Sequence, residues 1–198
     1  AVMARDYFIF IEYGIESVND NTLMRINRGH DFATSAKALR ETADRGLNAG
    51  AHLIFGLPGE SRTQLVESAD IISTLSLKSL KIRQLQLIEG TVMAEEYRRD
   101  PSAFDLYSLD EYLDVVIAFA ERLSPGIMID RVSGEAPKRL LLTCRHHANE
   151  SMANFVIEGI ISEFVVKPDR YRDIFTRVVP LVDKDGVENG DQGKNRWP

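Results

Sequence analysis

Residues Gly50–Glu60, which read Gly-Ala-His-Leu-Ile-Phe-Gly-Leu-Pro-Gly-Glu, decide the fold of this chain. Their apolar run is bounded by glycine and proline and is too short for a helix, so it predicts a buried strand. The next residues, Ser61-Arg62-Thr63-Gln64, have the form of a capping box and predict the start of a helix. A strand, a glycine-rich turn and a helix make one βα unit of a parallel sheet, in which ligands bind at the carboxyl ends of the strands.

The composition is that of an ordinary globular protein of 198 residues, 44% hydrophobic and 27% charged. The net charge of −6 gives no electrostatic reason to expect nucleic acid binding. It leaves open a local basic face, whose residues would be Lys78, Lys81, Arg83, Arg98 and Arg99, although such charges are more often plain solvated surface. The single cysteine, Cys144, cannot form an internal disulfide or hold an iron–sulfur cluster alone, and it suits a reducing compartment such as the cytoplasm. No apolar run approaches the ~20 residues of a membrane span, so no membrane association is expected.

Strands and helices alternate on both sides of the central stretch. Tyr7–Tyr13 is rich in aromatic and β-branched residues and predicts a buried strand that ends at Gly14. Leu80–Ile88 alternates between apolar and polar residues and predicts a third strand. This β-α-β-α-β order with short connections requires a parallel sheet. The helices expected between the strands are a short one capped near Asn19, one over Thr34–Arg45 and one from Arg62 to about Leu75.

Beyond Gly90 the pattern changes, and we predict a division into residues 1–90, a C-terminal extension over residues 91–166 and a poorly packed tail over residues 167–198. A second capping box at Ser108 predicts the start of a helix there. The elements expected in the extension are a polar helix at Val92–Arg99, a helix from Ser108 to about Leu123, a strand at Ile127–Val132, a helical turn at Pro137–Leu142 and a helix at Asn149–Val165.

Several motifs in this order and spacing resemble the radical S-adenosylmethionine (radical SAM) superfamily. More narrowly, the chain is similar to the YhcC-type group, which is related to the elongator-like and coproporphyrinogen-oxidase-like branches. The resemblance covers roughly residues 8 to 142. The stretches that carry it are Glu12–Ser17, Ile26–Asp31 and His52–Glu60, with weaker support from Ile88–Thr91 and Arg131–Gly134.

The resemblance implies an α/β fold, namely the C-terminal half of a partial TIM-type (βα)6 barrel followed by a mostly helical extension. The three predicted strands would be the fourth, fifth and sixth of that barrel. The CxxxCxxC loop whose thiolates hold a [4Fe–4S] cluster is not in this sequence. In such iron–sulfur oxidoreductases the cluster reduces SAM to a 5′-deoxyadenosyl radical. We therefore expect a fragment that supplies part of the SAM-binding wall, is not catalytic alone and has the N-terminal half of the barrel as its missing partner.

The resemblance also implies which residues line that wall. Glu16 occupies the position of the polar side chain that binds the SAM ribose hydroxyls, where many relatives carry glutamine, and Arg28 matches the arginine that pairs with the methionine carboxylate. The other positions implied are Glu12 and Ser17 beside Glu16, His52 facing the nucleoside, Ile54, Gly56 and Leu57 against the adenine, and Leu87 and Ile88 through their backbone.

The residues themselves leave alternatives open. Glu12 suits an ion pair at the rim of the sheet, and Arg28 suits a cation near a helix C-terminus. His30, Asp31 and His52 would serve a metal-dependent TIM-type hydrolase. A further alternative is that the chain is a non-catalytic half-barrel that binds a partner. Its exposed first strand predicts self-association. The sequence does not identify the substrate, and tRNA is a candidate only through the resemblance to the YhcC-type group.

Overall fold

The computed structural model describes residues 8–133 and the backbone of residues 140–143. A four-stranded sheet has the order β1-β2-β3-β5, and all of its neighbours are parallel. A separate two-stranded sheet pairs β4 with β6 in antiparallel fashion. The predicted parallel sheet is therefore confirmed. The strands are β1 (Phe10–Glu16), β2 (Asn48–Phe55), β3 (Ser79–Gln84), β4 (Gln86–Ile88), β5 (Met128–Arg131) and β6 (Leu140–Thr143).

Helices follow the strands in the predicted order, and side-chain caps define where they begin. The capping boxes at Ser61 and Ser108 both form, since each serine accepts from the third residue of its helix and is reached in turn by that residue's side chain. Val92–Arg99 is helical over the predicted residues. The helices are α1 (Asp20–Arg25), α2 (Phe32–Asp44), α3 (Arg62–Ser73), α4 (Val92–Arg99) and α5 (Leu109–Arg122), with a 3-10 turn at Pro101–Ala103.

Alternate residues of the strands form one continuous hydrophobic core. Phe55, at the end of β2, is fully buried, and its ring packs edge-on against Tyr112 and Phe119 of α5 at centroid distances of 6.3 and 5.2 Å. The other strand residues that share this core and are at most 2% exposed are Ile15, Ala49, Ala51, Leu53, Leu80 and Ile82 of the four-stranded sheet, and Leu87 of β4. This face of the sheet accounts for the apolar half of each strand's pattern.

The intervening residues of the same strands are mostly polar and half-buried. Gly50 lies among them, and the ring of Phe10 and the hydroxyl of Ser79 occupy the space beside it. A Cβ atom built on Gly50 would lie 2.8 Å from Phe10 Cε1 and 2.8 Å from Ser79 Oγ. The backbone therefore approaches these side chains more closely than any other residue type would allow.

Three predicted boundaries are wrong. The first strand begins at Phe10 and continues through Gly14 to Glu16, because an irregularity in the register carries the pairing past the glycine. The helix expected from Thr34 begins two residues earlier, since Asp31 caps it. The single strand expected at Leu80–Ile88 is two strands: Leu85 donates its N–H to Phe55 O, and the following residues leave the parallel sheet to pair with β6.

The helical turn expected at Pro137–Leu142 is also wrong where it can be checked, because Leu140–Thr143 is a strand. The helix predicted at Asn149–Val165, the tail and Cys144 lie outside the described residues. Within the described part of the chain, no helix is long and apolar enough to cross a membrane.

Replacing Gly50 with alanine should lower the free energy of unfolding by about 1–3 kcal/mol, because the new methyl group overlaps the Phe10 ring and Ser79 Oγ. Urea denaturation measures the change. Gly126→Ala is the matched control, since a Cβ there meets only Ser124 Oγ, at 3.7 Å. Equal stabilities for the two variants would contradict the close packing at Gly50.

Candidate functional site

The carboxyl ends of β1, β2 and β3 meet at one edge of the sheet, and Glu16 is the last residue of β1. Its φ of 67° lies in the left-handed region that non-glycine residues rarely adopt. The register of β1 against β2 is irregular between Gly14 and Glu16. Such irregularities redirect a side chain, and here the carboxylate of Glu16 folds back over Gly14.

Arg28 reaches the same place from the loop after α1. Its Nη2 donates to the carbonyl oxygen of Gly14 at 2.6 Å, and its Nε is buried without a hydrogen-bond partner among the described residues. A Cβ on Gly14 would clash with Glu16 Oε1 and lie 3.1 Å from Arg28 Nη2. The missing side chain of Gly14 therefore makes room for a carboxylate and a guanidinium side by side.

Ser17 and Glu60 join the loop after β1 to the turn after β2. Ser17 is 3% exposed, and its hydroxyl donates to Glu60 Oε1 at 2.7 Å while accepting from the N–H of Asn19 at 2.9 Å. The other oxygen, Glu60 Oε2, is buried with no partner among the described residues. Ser17 thus holds one oxygen of the carboxylate, Oε1, and the other oxygen, Oε2, is left for a ligand.

Glu12 takes part in a different cluster, two residues before Gly14 on β1. It accepts from Lys81 Nζ and lies 3.3 Å from His52 Nε2, so that β1, β2 and β3 contribute one residue each. The side chain of Glu12 is 38% exposed, that of Lys81 is 23% exposed and that of His52 is 22% exposed. The structure therefore places Glu12 in the ion pair that the sequence left open, beside His52 and not beside Ser17.

The sequence places Arg83 only among the residues of a candidate basic face and assigns it to no site. It lies on β3 opposite Ile54 of β2, two residues beyond Lys81 and therefore on the same face of the sheet. Its Nε is buried without a partner among the described residues. A lone arginine in an alternating strand carries no motif, and only the register of β3 against β2 reveals it.

Burial and neighbouring charges move the pKa values of these carboxyls in different directions. Burial raises the pKa of Glu16, opposed by the charges of Arg28, His52 and Arg83. Burial likewise raises the pKa of Glu60, opposed by the hydrogen bond from Ser17. The hydrogen bond from Lys81 lowers the pKa of Glu12. The charges of Arg28, His52 and Arg83 thus all act on the carboxyl of Glu16.

The remaining predicted residues lie nearby, with their side chains divided between the two faces. Ile54 is half-buried, and Gly56 has a φ of 87°, a conformation that favours glycine. Leu57 and Leu87 are 3% and 0% exposed and belong to the hydrophobic core. Ile88 ends β4 and is half-buried.

The three residues of the hydrolase alternative do not converge. His30 Nε2 lies 3.2 Å from Ser35 Oγ, and Asp31 caps α2 by accepting from Thr34. His52 is engaged with Glu12. Within the described ranges, no three histidine, cysteine, aspartate or glutamate side chains are grouped to hold a metal ion.

Two family models match the chain. The one described as the radical SAM superfamily matches residues 3–72, and the one described as the radical SAM C-terminal domain matches residues 77–159. Together they match most of the sequence.

The chain is also similar to curated proteins over about two thirds of its length. It is 38% identical to an uncharacterised protein of Methanocaldococcus jannaschii over 64% of this chain and 39% of that protein. It is 29% identical to protein YhcC of Escherichia coli over 69% of this chain and 43% of that protein. With a tRNA uridine(34) acetyltransferase of Methanocaldococcus infernus it shares 26% identity over 67% of this chain and 25% of the acetyltransferase. The chain thus spans about two fifths of the length of the first two relatives.

A solved structure has the same fold. It is the archaeal Elp3 of Methanocaldococcus infernus with an N-terminal deletion, which superposes with a TM-score of 0.65 at 22% identity over 77% of this chain and 35% of that one. The likeness confirms the predicted α/β architecture, a parallel sheet of the radical SAM type. On the two family matches and these relatives, the chain belongs to the radical SAM superfamily, on its YhcC and elongator-like side.

Proposed function

We propose that this chain forms part of the S-adenosylmethionine-binding wall of a radical SAM enzyme. One observation carries the proposal: Glu16 and Arg28 lie side by side at Gly14, and Ser17, the residue after Glu16, holds Glu60, while Arg28 Nε and Glu60 Oε2 are buried without partners among the described residues. Buried polar atoms are costly unless something bonds to them. A ligand with both acidic and basic groups would satisfy them.

The residues present fit S-adenosylmethionine, the cofactor that the family implies. Its methionine part carries a carboxylate and an ammonium group, and its ribose carries two hydroxyls. Arg28 offers a guanidinium fork for the carboxylate, while Glu16 offers acceptors for the ribose hydroxyls. Glu60, held by Ser17, offers Oε2 to a further donor of the ligand.

The nucleoside side of the wall is made by the ends of β2 and β4. In this proposal His52 and Ile54 face the nucleoside, and Gly56 lets the backbone approach it closely. Leu57, Leu87 and Ile88 contribute backbone groups. Glu12 acts indirectly, by holding the side chains of His52 and Lys81 in position.

The [4Fe–4S] cluster that the family implies does not fit the residues of this chain. Such a cluster needs several thiolates, and the sequence contains one cysteine. We assign no residue here to the cluster and propose that its ligands belong to a longer form of the protein. When bound, SAM supplies hydrogen-abstracting chemistry, and the residues of this chain bind and orient it.

Kinship supports a tRNA substrate, since relatives at 24% and 26% identity are named tRNA uridine(34) acetyltransferases. The net charge of −6 means that such binding would have to use local basic residues. We treat tRNA as a proposal for the longer protein.

The partner proposed for β1 is the rest of the barrel. β1 is an edge of the described four-stranded sheet, so its outer N–H and C=O groups have no ladder partner there. The chain produced alone should therefore self-associate, and light scattering should report a mass of at least a dimer. A concentration-independent monomer would contradict this expectation.

Arg28→Gln should weaken SAM binding at least tenfold, equivalent to about 1.4 kcal/mol, because the guanidinium for the methionine carboxylate is lost. Calorimetry on the longest natural form of the protein measures the affinity. Decarboxylated SAM sharpens the test: the native protein should prefer SAM over it, and the variant should not.

Arg122→Gln is the matched control, since Arg122 pairs with Asp70 on the exposed surface. It should bind SAM as the native protein does. The assignment of Arg28 fails if both variants bind SAM equally well, or if Arg28→Gln still prefers SAM to its decarboxylated analogue.

Glu60→Gln should raise the free energy of unfolding at pH 7. The folded pKa of Glu60 lies above its ordinary value of 4.5, so the folded state holds the proton more tightly than the unfolded state. Stability contributed by this group is full below pH 4.5 and is lost as the pH rises through the folded pKa. Glutamine keeps an acceptor for Ser17 and cannot ionise.

Denaturation curves between pH 3.5 and 7.5 measure the effect. The difference between variant and native protein should vanish at the acidic end and grow toward neutrality. A difference that is independent of pH would mean that Glu60 carries no burial penalty.

A further inference from the structure

Arg83 is a half-buried guanidinium on the polar face of the sheet, beside the proposed SAM wall. It stands opposite Ile54 in the register, and Lys81 lies two residues before it on the same strand. Leu80 and Ile82, the alternating residues of β3, are fully buried in the hydrophobic core. The side chains of Lys81 and Arg83 are therefore on the opposite face, and both are shielded from solvent in part.

Several other cations of the described chain have carboxylate partners. Arg25 pairs with Glu96, Arg62 with Asp105 and Glu111, Arg98 with Glu89 and Glu95, Arg122 with Asp70, and Lys81 with Glu12. No such pair holds Arg83 among the described residues, and its Nε is buried without a hydrogen bond. A buried polar atom without a hydrogen bond is costly, so the place of Arg83 in the site needs a reason.

Glu16 does not explain the position of Arg83. It acts on Arg83 through its charge and makes no ion pair with it within the described residues, whereas its carboxylate lies against Gly14 and Arg28. SAM does not explain the position of Arg83 either, because the one carboxylate of SAM is assigned to Arg28. An anionic group from another molecule would pair with this guanidinium.

We propose that Arg83, with Lys81 beside it, forms a subsite for an anionic oxygen group, a phosphate or a carboxylate, on the molecule that the enzyme acts upon. The inference rests on the proposed function, since it takes the SAM carboxylate to be held elsewhere. The planar fork of Arg83 suits two oxygens of such a group, and Lys81 supplies a second positive charge. Glu12 holds Lys81 in position by accepting one hydrogen bond from its Nζ, and the Nζ keeps further N–H donors for the anionic group.

The test uses the full chain labelled with [15N]arginine, and the probes are inorganic phosphate and acetate. The Nε–H resonance of Arg83, assigned by its loss in Arg83→Gln, should shift saturably with phosphate or with acetate. Whichever probe binds more tightly identifies the group. Calorimetric titration gives the probe affinities of the variants, which lack the Arg83 resonance or alter its surroundings. Arg83→Gln and Lys81→Met should each weaken probe binding at least fivefold, and Arg83→Lys should restore part of the loss.

Controls separate this subsite from the SAM wall. Arg122→Gln should bind both probes as the native chain does. Arg83→Gln should keep its SAM affinity within twofold, whereas Arg28→Gln should lose SAM and keep the probe. Phosphate or acetate binding in a protein that does not bind SAM would leave the subsite intact and reject the proposed function.

Two results would overturn the subsite. One is the absence of a saturable shift at Arg83 with either probe, or equal probe affinity in the Arg83→Gln and native chains. The other is a loss of SAM affinity in Arg83→Gln as large as that in Arg28→Gln, which would assign Arg83 to the cofactor. Circular dichroism establishes that each variant is folded.

Discussion

The whole arrangement depends on strict alternation along three parallel strands. Each strand sends one set of side chains into the hydrophobic core and the other set to a polar face. Because neighbours are in register, His52 lies beside Lys81, and Ile54 lies beside Arg83. A slip of one residue would exchange the faces and bury the charges, so the core fixes the position of the charged residues. The stability of the sheet and the geometry of the site are set by the same contacts.

The edge of the sheet adds what alternation alone cannot provide. At the end of β1 the left-handed backbone of Glu16 and the absent side chain of Gly14 bring a carboxylate against a guanidinium. Ser17 and Glu60 then join two loops that are 43 residues apart in sequence. Unusual backbone and buried polar groups thus lie at the edge where parallel sheets commonly bind ligands.

Local signals in the sequence predict much of this fold. Both capping boxes, the α4 helix and the parallel β-α-β-α-β order follow from short patterns, since their causes are local. The split of residues 80–88 into β3 and β4 could not be predicted, because its cause is pairing with β6, more than fifty residues along the chain. The position of Arg83 beside the site could not be predicted for a related reason: its neighbours are set by the register of β3 against β2. The motifs name Glu16, Arg28 and His52 for one site, and the ion pair that the sequence allowed for Glu12 forms with Lys81, beside His52.

One feature of the sheet bears on how such proteins evolve. The two family models meet between residues 72 and 77, yet β2 belongs to the first and β3 to the second, and the two strands pair over six consecutive positions. The boundary in the sequence falls at the connection between α3 and β3, but the two matched segments are joined in space by hydrogen-bonded backbone. Recombination at that boundary can succeed only if the incoming segment brings a strand whose inward residues match those of β2. Shuffling of C-terminal segments among relatives is accordingly constrained by core packing as well as by catalysis.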